Sequence, residues 1–242
     1  MTNREILALK EQPKSLVIIG GGVIGGLIAR KMAEYDVKTV ILEKENDVAT
    51  GQSKANSGIV HAVYDPKPGT LKAKLNVLGS QMMEDICKEL DVKYRRNGAL
   101  VVGYSDKEVK TLEELYERGQ KNGVLGLKVL EGEDVRKLEK NLSKGIKKAL
   151  YVPSSAVVCP YELTIESIGN AMDNGVSVYR NFWVCDISRQ DGVFTVTSKA
   201  GQQVQSRYLV NCAGGYSDVV ARMAGDDFFT IIPRAGEYML LD

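Results

Sequence analysis

The stretch "SLVIIGGGVIGGLIARKMAEYDVKTVILEKE", from Ser15 to Glu45, leaves few folds open. "SLVIIG" is a short unbroken apolar run, as expected of a parallel strand covered on both faces. Glycine then occupies four of the six positions from Gly20 to Gly25. Beyond them Ile24, Ile28 and Met32 recur at helical spacing. Ala29 and Ala33 extend that stripe with side chains small enough to let a helix lie close to a sheet. "KTVILE" reads as a second strand, so the stretch predicts a βαβ start.

Within it Gly20, Gly22 and Gly25 fit G-x-G-x-x-G. Gly20 suits a tight turn, Gly22 lets backbone approach a pyrophosphate, and Gly25 lets the helix pack against the strand. The helix N-terminus then aims unpaired N–H groups at the phosphates. Glu43 lies 18 residues after Gly25, at the end of the second strand. An acid there is placed to bind a ribose diol and repels a 2′-phosphate, which disfavours NADP. The motif does not itself choose between NAD and FAD.

Further along, "ATGQSKANSG" lacks any period and reads as a loop on the ligand side of the sheet. "TLKAKLNVLGSQMMEDICKELD" predicts a helix with Leu71, Leu75, Leu78 and Met82 on one face. "GALVVGY" predicts a strand. "DKEVKTLEELYERGQKNG" predicts an amphipathic helix with Val109, Leu112 and Leu115 inward and Gly123 as its stop. "ALYVPSSAVVCP" reads as extended, and "YELTIESIGNAMDNG" as a helix. From Phe182 onward apolar and polar residues alternate around "RQDG" and "KAGQ", which predicts an antiparallel meander. The meander ends in "LVNCAGG", a second glycine turn, followed by a helix through Val219, Val220 and Met223.

Composition narrows the partners. Lys+Arg 32 against Asp+Glu 31 gives a net charge of +1. That balance offers nothing for nucleic acid or an anionic membrane as the main partner. No apolar run is long enough to span a bilayer. "MTNREILALKEQPKS" lacks the apolar core of a secretory signal and reads as a short polar extension stopped at Pro13. Cys87, Cys159, Cys185 and Cys212 form no CxxC pair, and His61 is the single histidine. Neither a metal site nor a disulfide framework is expected. The cysteines read as reduced, mostly buried thiols. The chain is therefore placed in the cytoplasm, free or peripheral to a membrane.

Three segments carry a resemblance: "ANSGIVHAVYDPKPGTLKAKLNVLG", "YLVNCAGGYSDVVARMAG" and "IIPRAGEYMLLD". Together with the glycine turn they resemble the FAD-dependent oxidoreductases of the D-amino-acid-oxidase superfamily. Within it, the nearest likeness is to L-2-hydroxyglutarate oxidase and anaerobic-type glycerol-3-phosphate dehydrogenase. The similarity runs over about residues 15–242. It implies an α/β fold: a Rossmann-like FAD-binding domain with an antiparallel meander, plus an incomplete α+β substrate domain. The FAD-binding domain is expected over 15–71 and 181–230, and the substrate portion over 72–180 and 231–242. Relatives continue beyond "GEYMLLD", which marks the chain as a fragment or a shortened product.

Position by position, the resemblance puts Gly20, Gly22 and Gly25 at the pyrophosphate and Glu43 at the adenosine ribose. It puts Ser53, Asn56, Ser57 and Gly58 along the pyrophosphate and flavin. Val184 would meet adenine through its backbone, Ala213 and Gly214 would flank the phosphates, and His61 would sit near the isoalloxazine. Two positions depart from the pattern where the substrate pocket is shaped. Val63 stands where glycine follows "HA", and Ala235 stands where a basic residue precedes "GEY", with Arg234 one step earlier.

The implied chemistry moves a hydride from a hydroxyl-bearing carbon of a small anionic substrate to the flavin. The substrate would be a 2-hydroxy acid such as 2-hydroxyglutarate, or glycerol 3-phosphate. His61 is the candidate general base, because imidazole titrates near neutral pH. Tyr64, Lys74 and Arg234 are candidates to hold the substrate's negative charge. Quinone, oxygen or a partner redox protein remain open as electron acceptor. The rival readings are an amine or amino-acid oxidase on the same scaffold and a non-catalytic nucleotide-binding fragment.

Overall fold

The computed structural model describes residues 14–237 and 239. The polar extension before Lys14 and part of "IIPRAGEYMLLD" (238 and 240–242) lie outside the described residues. In chain order, β1 (Lys14–Ile19) passes through the glycines into α1 (Val23–Met32) and β2 (Thr39–Leu42). Next come β3 (Ile59–Val60), α2 (Leu71–Glu89), β4 (Tyr94–Arg95), β5 (Ala99–Gly103) and α3 (Asp106–Lys121). They are followed by β6 (Lys128–Glu131), α4 (Gly132–Leu138), β7 (Lys148–Val152) and β8 (Ala156–Val158). The chain closes with α5 (Pro160–Asp173), β9 (Ser177–Tyr179), β10 (Val184–Gln190), β11 (Val193–Ser198), β12 (Gln203–Asn211) and α6 (Ser217–Met223).

Two units result. The first takes the described residues up to Asn56 and those from Pro160 onward; the second is Ser57–Cys159. The sequence placed these divisions at 71/72, 180/181 and 230/231. The shift has a physical cause. α5 seats against α1, where a Cβ on Gly26 would lie 2.8 Å from Ile168 Cγ1. β9 joins β2 in parallel. Both elements therefore belong with the first unit. Residues 57–71 go with the second, where β3 pairs with β8 and Asn122 holds the carbonyls of Val63 and Pro66.

The first unit is built on one sheet, ordered β10-β11-β12-β1-β2-β9. β12, β1, β2 and β9 run parallel, while β10 to β12 form the expected antiparallel meander. Asp191 and Gly192 both take positive φ at the "RQDG" hairpin, as a two-residue primed turn requires. β1 is apolar without a break because both its faces are covered. Val17 and Ile19 join Val40, Leu42, Phe182 and Val196, whereas Leu16 and Ile18 join Ala29, Ile41, Ile168 and Ala171. α1 meets this core through Gly25, Gly26 and Ala29, with Ile28, Met32 and Ala33 packed beside them, while Ile24 at the helix start is 63% exposed. At Gly26 the helix lies too near Ile168 of α5 for a side chain to fit without a shift.

In the second unit, β5-β7-β6 and β3-β8-β4 form two small antiparallel sheets. α3 begins with a full capping box: Ser105 accepts from the Glu108 N–H, and Glu108 accepts from the Ser105 N–H. Leu112 is buried at the centre of its inner face. α2 forms as expected, but its leucine stripe faces outward. Leu71, Leu75, Leu78 and Met82 are all exposed, while Ala73 and Cys87 are buried. Val77, Met83 and Ile86 are half-buried on the side that packs. Of the cysteines only Cys87 is buried; Cys159 and Cys212 are intermediate and Cys185 is exposed, all four as free thiols. Burial pushes the Cys212 thiol up to about 11. Among the described residues, no helix is long and apolar enough to cross a membrane.

The segment after α6 is tied down by one carboxylate. Asp218, 6% exposed, accepts from the Ile231 N–H at 3.3 Å and from Arg222 Nη2 at 3.2 Å. Burial works against its charge, but the Ile231 and Val219 amides and Arg222 outweigh it, holding the carboxyl below its usual range. Its contribution is therefore complete above the ordinary aspartate range and lost as pH falls through the lowered value. The amide-exchange protection factor of Ile231 should stay level at neutral pH and fall under acid conditions. Asp218→Asn should lack that dependence, and pH-independent protection in the wild type would contradict the assignment.

Candidate cofactor site

The strand register builds the site. Ile19 is level with Leu42 on one side and Asn211 on the other. The turns that follow β1, β2 and β12 therefore emerge side by side at the carboxyl edge of the sheet, where open α/β sheets bind ligands. Gly20 sits between them: its N–H donates to Leu42 O, and Cys212 N donates to Ile19 O. Gly20 has φ +113, and a Cβ there would meet Cys212 O at 2.2 Å. A Cβ on Gly25 would meet Gly20 O at 2.1 Å. Both glycines are required by backbone approaching backbone. Gly22 is different, because the nearest atom to a Cβ there is Ser53 Oγ at 3.1 Å. The turn is thus open at Gly22 and closed at its two ends.

Glu43 stands just past β2 and is 8% exposed. Its Oε2 accepts from the Gly21 N–H at 2.7 Å and its Oε1 from the Glu45 N–H at 2.9 Å. The carboxylate thus holds the glycine turn to the end of β2 and keeps further lone pairs for a ligand. Ser53 lies in a short 3-10 turn, Gln52–Lys54, and its Oγ accepts from the Val23 N–H at 2.9 Å. Ala49 N donates to Gly21 O. The loop read from sequence as lying on the ligand side is therefore bonded to the turn itself. Asn56 Nδ2 donates to the carbonyls of Gln52 and Ser53.

Val184 opens β10, directly after a segment in which Phe182 N donates to Glu43 O and Asn181 N to Glu45 O. Ala213 N donates to Asn211 Oδ1, and Gly214 has φ +56. The first unit so gathers Gly20, Gly22, Gly25, Glu43, Ser53, Ala213 and Gly214 around the aligned strand ends, with Val184 two residues past the Phe182 N–H that meets Glu43 O. Arg234 belongs to the same unit and is exposed. Ser57, Gly58, His61, Tyr64 and Lys74 belong to the second unit. His61 and Lys74 are exposed; Tyr64 is half-buried and packs against the core of Ala62, Leu112, Leu127, Leu150 and Val152. Burial, with Asp65 adding to it, raises the Tyr64 hydroxyl above its usual pKa.

Sequence reasoning passed over a row of cations and aromatics beside Glu43. Lys199 Nζ lies 3.4 Å from the ring centre of Trp183, and Lys44 Nζ lies 4.2 Å from that of Tyr216. Partial burial opposes the Lys44 charge, but Glu45, Tyr216 and Glu43 outweigh it and hold the ammonium above its usual range. The sequence signal was available: each of Lys44, Trp183 and Tyr216 lies within two residues of a position already singled out.

The residues present fit a dinucleotide carrying a pyrophosphate. An open glycine faces the first turn of a ten-residue helix, and a carboxylate stands at the next strand end. Residues 15–242 match the family described as DAO, FAD dependent oxidoreductase. Over 228 residues, 94% of the chain, the sequence is 45% identical to a glycerol 3-phosphate dehydrogenase of Caloramator mitchellensis, of which it covers 47%. It is 33% identical over 240 residues to the mitochondrial L-2-hydroxyglutarate dehydrogenase of Homo sapiens, covering 93% of the chain and 51% of that protein. The chain spans about half the length of the curated relatives it matches. Among solved structures, the FAD-bound L-alpha-glycerophosphate oxidase of Mycoplasma pneumoniae aligns with a TM-score of 0.83 at 28% identity, over 88% of this chain and 57% of its own. Glycine oxidase from Geobacillus kaustophilus shares the fold, with a TM-score of 0.81 at 20% identity over 88% of this chain and 58% of its own.

Proposed function

The chain belongs to the DAO family of FAD-dependent oxidoreductases, and on that footing we propose that it oxidises a hydroxyl-bearing carbon of a small anionic substrate. The substrate is glycerol 3-phosphate or a 2-hydroxy acid such as 2-hydroxyglutarate. The observation that carries this reading is the 45% identity to a glycerol 3-phosphate dehydrogenase over 94% of the chain. The alternative, oxidation of an amine or amino acid, has support at the level of fold alone.

In the first unit Gly22 leaves room for the pyrophosphate, and the N–H groups of α1's first turn, with Ala213 and Gly214, receive its oxygens. Glu43 accepts from the ribose hydroxyls with lone pairs that its two backbone donors leave unused. Val184 offers its backbone to adenine, while Ser53 and Asn56 line the phosphates. When bound, FAD supplies the acceptor for the hydride that leaves the substrate carbon. In the second unit an imidazole nitrogen of His61 takes the hydroxyl proton, so that the alcohol becomes a ketone. Ser57 and Gly58 are proposed for flavin contacts, and Lys74 and Arg234 for the substrate's negative charge. Tyr64 contributes through its hydroxyl, since its ring is committed to the core.

Anaerobic mixing of the FAD-loaded chain with L-2-hydroxyglutarate, glycerol 3-phosphate and a panel of amino acids tests the reading. Bleaching of flavin absorbance by one of the two hydroxy compounds is expected. Bleaching by an amino acid alone would replace the proposal with its alternative.

A further inference from the structure

The chain leaves His61 through an unusual backbone. Val63 has φ +71, a left-handed conformation that a β-branched residue rarely adopts, and it is 2% exposed. Such a conformation persists only where its surroundings over-determine it. Here they do so from α3. Asn122, the residue on which α3 ends, donates from Nδ2 to Val63 O at 3.0 Å and to Pro66 O at 2.8 Å. One turn earlier, Arg118 Nη1 donates to Asp65 O at 2.8 Å. Between them Gly119 lets the loop come close, since a Cβ there would lie 3.1 Å from Tyr64 Cβ. Two side chains thus grip three carbonyls in the four residues that follow Ala62.

Chemistry fixes the identity of the gripping group. Two carbonyl oxygens face one side-chain nitrogen, so both N–H bonds of the Asn122 amide are used. Aspartate has the same shape but would set a carboxylate against two carbonyls. α3 is a capped helix with its own core contacts, so the grip is anchored on a rigid element. If Val63 relaxed to negative φ, the chain would change direction between His61 and Tyr64.

We propose that Asn122 is a positioning residue, which by holding the carbonyls of Val63 and Pro66 keeps Val63 left-handed and so fixes the direction from which His61 meets its proton donor. The assignment rests on the proposed role of His61. Val63 is its internal control. Glycine enters the left-handed region without strain, so it makes the conformation available without a grip.

The experiment is a double-mutant cycle on the full chain with Asn122→Ala, Val63→Gly and both together, with Asn122→Asp as the isosteric variant. Flavin reduction at saturating glycerol 3-phosphate or L-2-hydroxyglutarate, KM, FAD affinity and amide exchange over residues 63–67 are read for each. Asn122→Ala and Asn122→Asp should slow reduction by about 10- to 100-fold, the scale of a misplaced catalytic group, with FAD affinity and KM changing much less. Exchange over 63–67 should quicken in both. In the Val63→Gly background the loss on removing Asn122 should shrink to a fraction of that. Equal losses in both backgrounds, or a loss that follows FAD content, would overturn the positioning role. A wild type that binds FAD but is reduced by neither substrate overturns the proposed function and the positioning role with it, and the exchange data separate that outcome from failure of the grip alone.

Discussion

Glu43→Ala is expected to lower FAD affinity by about tenfold or more and to lower thermal stability at the same time. The alanine removes the acceptors of the Gly21 and Glu45 N–H groups, the first of them in a buried residue. A hydrogen bond to a charged group contributes about 1.5–3 kcal/mol, and loss of one such bond to the ribose corresponds to about tenfold or more in affinity. Glu43→Gln is the informative companion. Its single carbonyl oxygen can serve only one of the two N–H groups, so it should fall between wild type and alanine in both measurements. Titration of the apoprotein with FAD, paired with thermal melts, separates the two roles. Lower stability with unchanged FAD affinity would make Glu43 a backbone staple and nothing more.

A larger effect is expected along the glycine turn, with opposite character at neighbouring positions. Gly25→Ala places a methyl where Gly20 O already stands 2.1 Å away. That atom is backbone, held between β2 and β12 on either side, and cannot step aside. The first unit should fail to fold, a loss beyond the 1–3 kcal/mol or so typical of overpacking. At Gly22 an added Cβ meets only the Ser53 hydroxyl, at 3.1 Å. The backbone there, with φ of −88 and ψ of −179, is open to any residue. Gly22→Val should fold, at a cost of about 1 kcal/mol for an unfavourable helix start, and yet retain almost no FAD. Circular dichroism and flavin content of the two purified variants distinguish a position kept empty for packing from one kept empty for a ligand. A Gly22→Val protein with normal flavin content would remove the pyrophosphate from this turn.

What could be read from the sequence was local and periodic. β1, α1 and β2 followed from an unbroken apolar run, a glycine cluster and a second run. The meander followed from strict alternation around two turn signals. The return of the chain did not. β9 pairs with β2 across more than a hundred intervening residues, and no local period announces that partnership. The domain divisions therefore moved once α5 and β9 joined the first unit. Periodicity held for Ile28, Ala29, Met32 and Ala33 of α1, which pack on the core, whereas Ile24 at the helix start and the Leu71–Leu75–Leu78–Met82 stripe of α2 recur at helical spacing and are exposed. At the candidate site, residue types singled out the three glycines and Glu43, which the fold brings to one turn. Side-chain bonds to distant backbone, such as Ser53 to Val23 and Asn122 to Val63, leave no pattern in sequence at all. Val63 shows both sides: sequence marked it as a departure from glycine, and only the backbone revealed that it adopts the left-handed φ a glycine would favour.

Every proposed role depends on one event, the binding of FAD at the turn between β1 and α1. Its most direct measurement is a titration of the purified apoprotein with FAD, followed by quenching of flavin fluorescence, with NAD and NADP as competitors. One FAD per chain, undisplaced by either nicotinamide nucleotide and lost in Gly22→Val, is the predicted result. Displacement by NAD, or equal FAD binding by the Gly22→Val variant, would contradict it.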